Sequence, residues 1–439
     1  PPIVLLDDGT EGWRVKRRLE CFVCLLAVLA MVRPAAAQQE QAAAHAEPGQ
    51  TAQMNAPILT LPGALDLAEK QNLDLQAARL QRAVSLAGVK IAGERPNPTA
   101  SVAVLRDTPH ESLFFDQQIE TASKRKKRID LARQEGLLTA SDITAIERQV
   151  RRGVREAYFG LAFARRVTSE KSDIAKLASR LKEIAEARFQ AGDIAQLEVT
   201  QAQLEWSRAN ADAQIAKRNE QIALTQLNLL LNEPSESNWD LADNLENLPG
   251  ALTLDDLVAR ATQSNSEMAR LAQEAKVEES RAILFKAERI PNIGLEFGMD
   301  FNAPGQDGFK IGPRGQITME LPLFNRNQGE IAQTSAALAA IEGQEAAKKR
   351  AIAAEVESSY YELTSREAEV ALYRQELVPS SRKLADLTEE SYQSGKANIL
   401  MVIGAQRDVQ QVDSEYLNSL LAMQTSIAAL EEIVGTPLE

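Results

Sequence analysis

The chain repeats itself over a long period. Leu59-Thr60-Leu61 returns as Leu252-Thr253-Leu254, 193 residues on. Each opens a helical stretch that ends near a Pro-Asn pair, Pro96-Asn97 and Pro291-Asn292. Phe189-Gln190-Ala191-Gly192 returns as Tyr392-Gln393-Ser394-Gly395, 203 residues on. The halves close on Asn232-Glu233-Pro234 and Gly435-Thr436-Pro437. The Gly/Pro-bearing loop after Phe301 accounts for the growth in spacing. A period this long is not that of a solenoid. It implies two copies of one module, 58–231 and 252–437, joined by a polar linker at 232–251.

Each copy reads as a helix, two strands, a very long helix, a turn and another long helix. No Pro stands between Pro109 and Pro234, so the first long helix is expected over Ala122–Ala191. At 1.5 Å per residue such a helix spans on the order of 100 Å, beyond any compact domain. Ile174, Leu177, Leu181 and Ile184 lie at three- and four-residue steps, the seam of a coiled coil. Leu197, Leu204 and Ala211 keep a seven-residue step on the returning helix. The second copy offers Leu377, Leu384 and Leu387, then Ile403 and apolar positions to Val434, with Pro379 expected to kink its helix. Gly192 and Gly395 suit helix ends that need a left-handed residue. Only 5% of residues are aromatic, which suits narrow helical seams better than one large core. An ordinary helical bundle is the competing reading, and the helix lengths count against it.

The strand segments alternate. Ile293, Leu295, Phe297, Met299 and Phe301 share one face, opposite Asn292, Gly294, Glu296, Gly298 and Asp300. Gln316–Leu323 does the same, with Ile317, Met319, Leu321 and Leu323 apolar, and 302–314 forms the loop. The first copy has a weaker pair: Ala100, Val102 and Val104, then Leu113, Phe115 and Ile119 interrupted by Gln117, around a loop at 106–112. Strands of about ten residues are long enough to cross a bilayer at a tilt. The membrane-facing set is therefore Ile293, Leu295, Phe297, Met299, Ile317, Met319 and Leu321. Four strands cannot close around a pore, and open edges are not tolerated in lipid, so several chains must contribute. A soluble four-stranded sheet covered by helices is the alternative.

Arg14–Gln38 reads as a secretory signal. Lys16, Arg17 and Arg18 precede the apolar run Cys21–Val32, and small residues lead to a cut at about Ala37/Gln38. Residues 1–13 lie ahead of it and are set aside; 38–57 read as a flexible segment. The two cysteines, Cys21 and Cys24, lie inside the signal, without the small residues that lipidation needs before them. The chain beyond the cut lacks Cys, which excludes disulfides and thiolate metal sites. A net charge of −13 argues against a nucleic-acid partner.

These features resemble the TolC family of outer-membrane efflux proteins, over about residues 58–437. Leu321-Pro322-Leu323-Phe324-Asn325-Arg326-Asn327-Gln328-Gly329 resembles the strand-to-helix exit of the CzcC-like heavy-metal branch. So does Gln118-Ile119-Glu120 followed by Lys124-Arg125 and Arg128. That branch carries Gly-Gly ahead of its Lys-Arg, where Ala122-Ser123 stands here. The resemblance implies a mainly α chain with a small β part. It also implies a homotrimer whose shared 12-stranded outer-membrane barrel continues as a helical periplasmic tunnel. A periplasmic adaptor and an inner-membrane RND-type pump would be its partners, with metal cations as cargo. The adaptor would dock on the helix tips at Gln190, Gly192 and Asp193 and at Gln393, Gly395 and Lys396. The acidic tunnel rings of the family's best-known member fall here on Met401 and Gly404, so no aspartate gate is expected there. Glu198 holds the matching place in the first copy with no clear role.

Nothing suggests catalysis, a cofactor or a resident metal. The two histidines, His45 and His110, have no second ligand nearby in sequence. There is no P-loop and no His-containing triad. The basic run Lys124, Arg125, Lys126, Lys127 and Arg128 stands at a strand-to-helix junction, either to meet acidic headgroups of outer-membrane lipid or as a solvated turn. Asp300, Asp307, Glu296 and Glu320 would give a channel interior some cation preference. Two other functions stay open: a periplasmic coiled-coil adaptor, and a duct for drugs or organic compounds.

Overall fold

The structure is a computed structural model that describes residues 57–104, 111–247, 250, 252–301 and 311–438. The signal segment, His45, His110 and Asp307 lie outside the described residues. The first copy contains β1 (Ile58–Leu59), α1 (Leu61–Gln71), α2 (Leu73–Ala92), β2 (Thr99–Val104), β3 (Glu111–Ile119), α3 (Lys124–Gln190) and α4 (Gln196–Leu231). A short strand β4 (Asp240–Leu241) follows. The second copy has α5 (Leu254–Ser264), α6 (Ser266–Glu288), β5 (Ile293–Phe301), β6 (Ile311–Met319), α7 (Gln328–Leu372), α8 (Val378–Gln393) and α9 (Ile399–Val434). The period reappears in the elements: α1 and α5 are both 11 residues long, and α4 and α9 are both 36.

Helix α3 runs 67 residues without a break, about 100 Å at the standard rise. Its counterpart is divided. A π turn at Tyr373–Leu377 separates α7 from α8. Pro379 brings no N–H and crowds the preceding turn, so the ladder shifts register there: Val378 donates to the Tyr373 carbonyl, five residues back. The interruption expected at Pro379 thus takes the form of a π turn with helix on both sides.

Among the described residues the main core lies where the two copies meet. Leu161, Leu227 and Leu231 pack with Leu257, Ile352, Leu363, Ile427 and Leu430. The stretch after α4 is more than a polar tether. Asp240–Leu241 pairs in parallel with Ile58–Leu59, and Leu245 is buried in the core. Asp243 accepts from the Leu61 amide at 2.6 Å and the Tyr158 hydroxyl at 3.0 Å. Burial pushes the Tyr158 phenol up to about 12, so it stays a donor.

A repeated asparagine fixes the corner between short and long helix in each copy. Asn72 accepts from the Leu75 amide and donates to the Leu230 carbonyl at 3.0 Å. Asn265, 193 residues later, accepts from the Glu267 and Met268 amides and donates to the Ile433 carbonyl at 2.9 Å. Each side chain caps one helix and satisfies an orphan carbonyl in the last turn of another.

The four longer strands form one antiparallel sheet in the order β2-β3-β5-β6. The strands of the two copies meet at β3 and β5, paired from Glu111↔Phe301 to Ile119↔Ile293. Two boundaries differ from the alternation in sequence. Strand β3 begins at Glu111, inside the expected loop, and β6 covers Ile311–Met319 rather than Gln316–Leu323. Pairing decides this: β6 aligns with the whole of β5, Ile293↔Met319 to Phe301↔Ile311. Pro313 is tolerated because β6 is an edge strand. Leu321 therefore lies beyond the strand, in the exposed turn before α7.

Candidate functional surfaces

The sheet register sorts side chains onto two faces. Opposite partners in antiparallel strands share a face. Val102, Leu113 and Met299 lie in one row, as do Phe115 and Phe297, then Leu295 and Ile317, then Ile119, Ile293 and Met319. The Phe115 and Phe297 rings stack at 5.9 Å. Among the described residues nothing covers this face: Val102 is 72% exposed, Phe297 61% and Ile317 75%. Gln117 falls on it opposite Leu295 and turns its amide to the Pro96 carbonyl at 3.1 Å. The reverse face carries Asp116, Glu296, Asp300, Arg314 and Gln316. Among the described residues, strands β2 and β6 have a partner on one side only.

Where strands pass into helices, the backbone is unusual. Ala122 (φ 53°) and Ser123 (φ 55°) lead into α3 in left-handed conformation, and Asn327 (φ 53°) leads into α7. The basic run that follows is only partly a surface. Lys124 is buried and donates to Asn292 Oδ1, and burial lowers its amine below the ordinary range against the pull of Glu288 and Glu120. Arg128 is ion-paired with Glu120. Arg125 donates to the Gly93 carbonyl, yet it and Lys126 remain exposed, while Lys127 is half-buried. Lys124 is thus turned into the junction toward Asn292, and Arg128 is held there by the half-buried Glu120. A cavity of about 870 Å³ opens beside them, lined in part by Asp116, Glu120, Glu288 and Thr318.

At the far end the two hairpin turns lie together. Both long helices end in the same motif. Gly192 (φ +83°) donates to Phe189 and Asp193 to Arg188; Gly395 (φ +72°) donates to Tyr392 and Lys396 to Ser391. Gln190, Gly192, Asp193, Gln393, Gly395 and Lys396 are all exposed. Beneath them Leu181, Ala185 and Ala202 pack with Tyr392, Ile399 and Val402. Arg188 lies 5.2 Å over the Tyr392 ring, and Arg407 pairs with Glu205, joining the copies. Met401 and Gly404 are exposed and carry no charge. Among the described residues no group of acids, histidines or cysteines is placed to hold a metal ion, and no helix is long and apolar enough to cross a membrane.

Sequence reading missed the asparagine corners, although Asn72 and Asn265 stand 193 residues apart, the spacing of the Leu-Thr-Leu marker. It also missed Asp243 and Tyr158, for which no local signal exists.

The described residues thus combine an exposed amphipathic sheet with paired, very long helices, the arrangement expected of an outer-membrane efflux channel protein. The comparisons make the class particular. The outer membrane efflux protein family matches residues 64–233 and 257–436, one match per copy, and the chain belongs to that family. It is 22% identical over 382 residues to the cobalt-zinc-cadmium resistance protein CzcC of Cupriavidus metallidurans, covering 86% of this chain and 90% of that protein. Its fold is that of CusC (TM-score 0.70, 16% identity, 88% of this chain and 96% of that one). The Vibrio cholerae outer membrane protein VceC is similar (TM-score 0.69, 15% identity, 86% and 97%).

Proposed function

We propose that this chain is the outer-membrane channel component of a tripartite, RND-type efflux system, a passive duct for heavy-metal cations. One observation carries the reading: a sheet with one exposed, mainly apolar face and two strands at its edges, in a chain whose longest helix runs 67 residues, about 100 Å at the standard rise. Apolar surface of this kind is stable against lipid, and open edges are not. Three copies joined β6 to β2 would close twelve strands and leave no edge. The acidic face would then line the lumen. The exposed tips at Gln190–Asp193 and Gln393–Lys396 would receive a periplasmic adaptor. Arg125 and Lys126 are the members of the basic run free to meet acidic headgroups. Metal cargo is supported by the relation to CzcC, named for cobalt, zinc and cadmium resistance. The chain would move metal without a resident site.

Membrane fractionation tests the duct: a heat-sensitive trimer is expected in the outer membrane, and quantitative release with the soluble periplasm would sink the reading. Deletion is expected to sensitise cells to cobalt, zinc or cadmium. Unchanged metal tolerance with new drug or solvent sensitivity would transfer the cargo to organic compounds.

A further inference from the structure

Among the described residues, the polar face of the sheet carries one aromatic residue, Phe114, and one cation, Arg314. They are neighbours. Phe114 stands opposite Gly298, and Gly298 opposite Arg314, in one row across β3, β5 and β6. Gly298 makes this possible: a Cβ there would come within 2.6 Å of Phe114 Cδ1 and would overlap the Leu113 carbonyl oxygen. The ring covers the bare backbone, a device that recovers part of what glycine costs a strand. It then meets Arg314, whose guanidinium carbon lies 5.0 Å from the ring centroid.

The surroundings of Arg314 are acidic. Asp116 and Glu296 face each other in the next row toward the helices, and Asp300 lies in the next row the other way. Among the described residues none of the three is ion-paired with Arg314. Asp300 accepts from the Ser112 hydroxyl at 2.8 Å, and Arg314 Nη2 donates to Gln316 Oε1 at 3.2 Å. A flexible cation diagonal to Glu296 and Asp300 on the adjacent strand would ordinarily pair with one of them. Here the aromatic face holds it instead.

We infer that Arg314, seated on Phe114, is the charge-selective element of the conduit, an anion-attracting level set between two carboxylate levels. The inference rests on the proposed closure with the polar face inward. Three copies then place three guanidinium groups around the lumen. A small inorganic anion or a carboxylate-bearing solute finds a positive station there, whereas a hydrated cation meets attraction, repulsion and attraction again. The barrel therefore passes ions of both signs, and exported cations travel with counter-anions. This replaces the simple cation preference that the acidic residues alone suggest.

The test is the reversal potential of the purified protein in planar bilayers under a KCl gradient. Arg314→Gln is expected to raise the K⁺ over Cl⁻ permeability ratio by about three- to tenfold, the effect of three charges across a water-filled, salt-screened lumen. Arg314→Lys is expected to keep the parent ratio. Phe114→Ala is expected to move the ratio the same way as Arg314→Gln, because the unseated guanidinium is free to pair with Asp300 or Glu296. An outer-membrane trimer whose ratio is unmoved by Arg314→Gln overturns the inference alone. Absence of the trimer overturns the closure beneath it as well.

Discussion

The two copies agree where the chain must turn and differ where it must run. Asn72 and Asn265 make the same two connections, Gly192 and Gly395 close the same tip motif, and Asn232 and Gly435 end α4 and α9 in left-handed conformation. Between these corners the copies have drifted. One long helix is continuous, and the other is divided by a π turn. One hairpin has a six-residue strand, and the other two strands of nine. One exit into a long helix uses two consecutive left-handed residues and the other uses Asn327. Corners depend on single polar groups and single φ values, for which few residues substitute. A helix or strand tolerates any sequence that keeps its apolar period.

If the corners are mechanical equivalents, Asn72→Ala and Asn265→Ala are expected to cost alike. Each should lose about 2–3 kcal/mol, the sum of a lost cap and an unsatisfied carbonyl. Unfolding of the detergent-solubilised protein measures both, and a loss confined to one variant would break the equivalence. At the tips, Gly192→Ala and Gly395→Ala are each expected to cost about 1–2 kcal/mol from backbone conformation alone, since no atom of the described residues lies within 4 Å of either added Cβ. Hydrogen exchange at the turns would show local opening, and protection unchanged from the parent would contradict it.

The strand exits should give the opposite sign. Ala122 holds a left-handed φ that glycine adopts freely, so Ala122→Gly is expected to stabilise by about 1 kcal/mol. Asn327→Gly should be near neutral, because Asn tolerates that region. A stabilisation of equal size at both exits would erase the contrast. The smallest effect concerns contact between copies. Burial, with Asp413 of α9 nearby, raises the carboxyl of Glu170 in α3 above its ordinary 4.5. The folded state therefore holds this proton more tightly than the unfolded state, and stability falls as pH rises through the raised value. Glu170→Gln should lift the melting temperature slightly at neutral pH and make no difference below about pH 4. A variant that melts lower than the parent at pH 7 would show the Arg166 and Arg382 attractions to dominate.

Much of this was legible along the chain. The alternation at Ile293–Phe301 is local, since a strand with one buried or lipid-facing side must alternate. The 203-residue return of the Gly turns marks both tips. The expected Ala122–Ala191 helix is observed as Lys124–Gln190 because no Pro interrupts it. The end of β6 was not legible. Leu321 and Leu323 continue the alternation of Ile317 and Met319, and only pairing with β5 stops the strand at Met319. The basic run shows the same limit. Five adjacent cations look alike in sequence, but Glu120 and Asn292 take two of them inward.

The sequence by itself determined the duplication, the helix lengths and the amphipathic strands, because each follows from periodicity and from where Pro and Gly stand. Tertiary structure alone decided that β3 joins β5 across the copies and that Asp243 anchors Tyr158. It also decided that Arg314 rests on Phe114 over Gly298. Those contacts join residues up to about two hundred positions apart. Pairing, burial and the room left by a missing side chain select them, and none of these is a property of neighbouring residues in the chain.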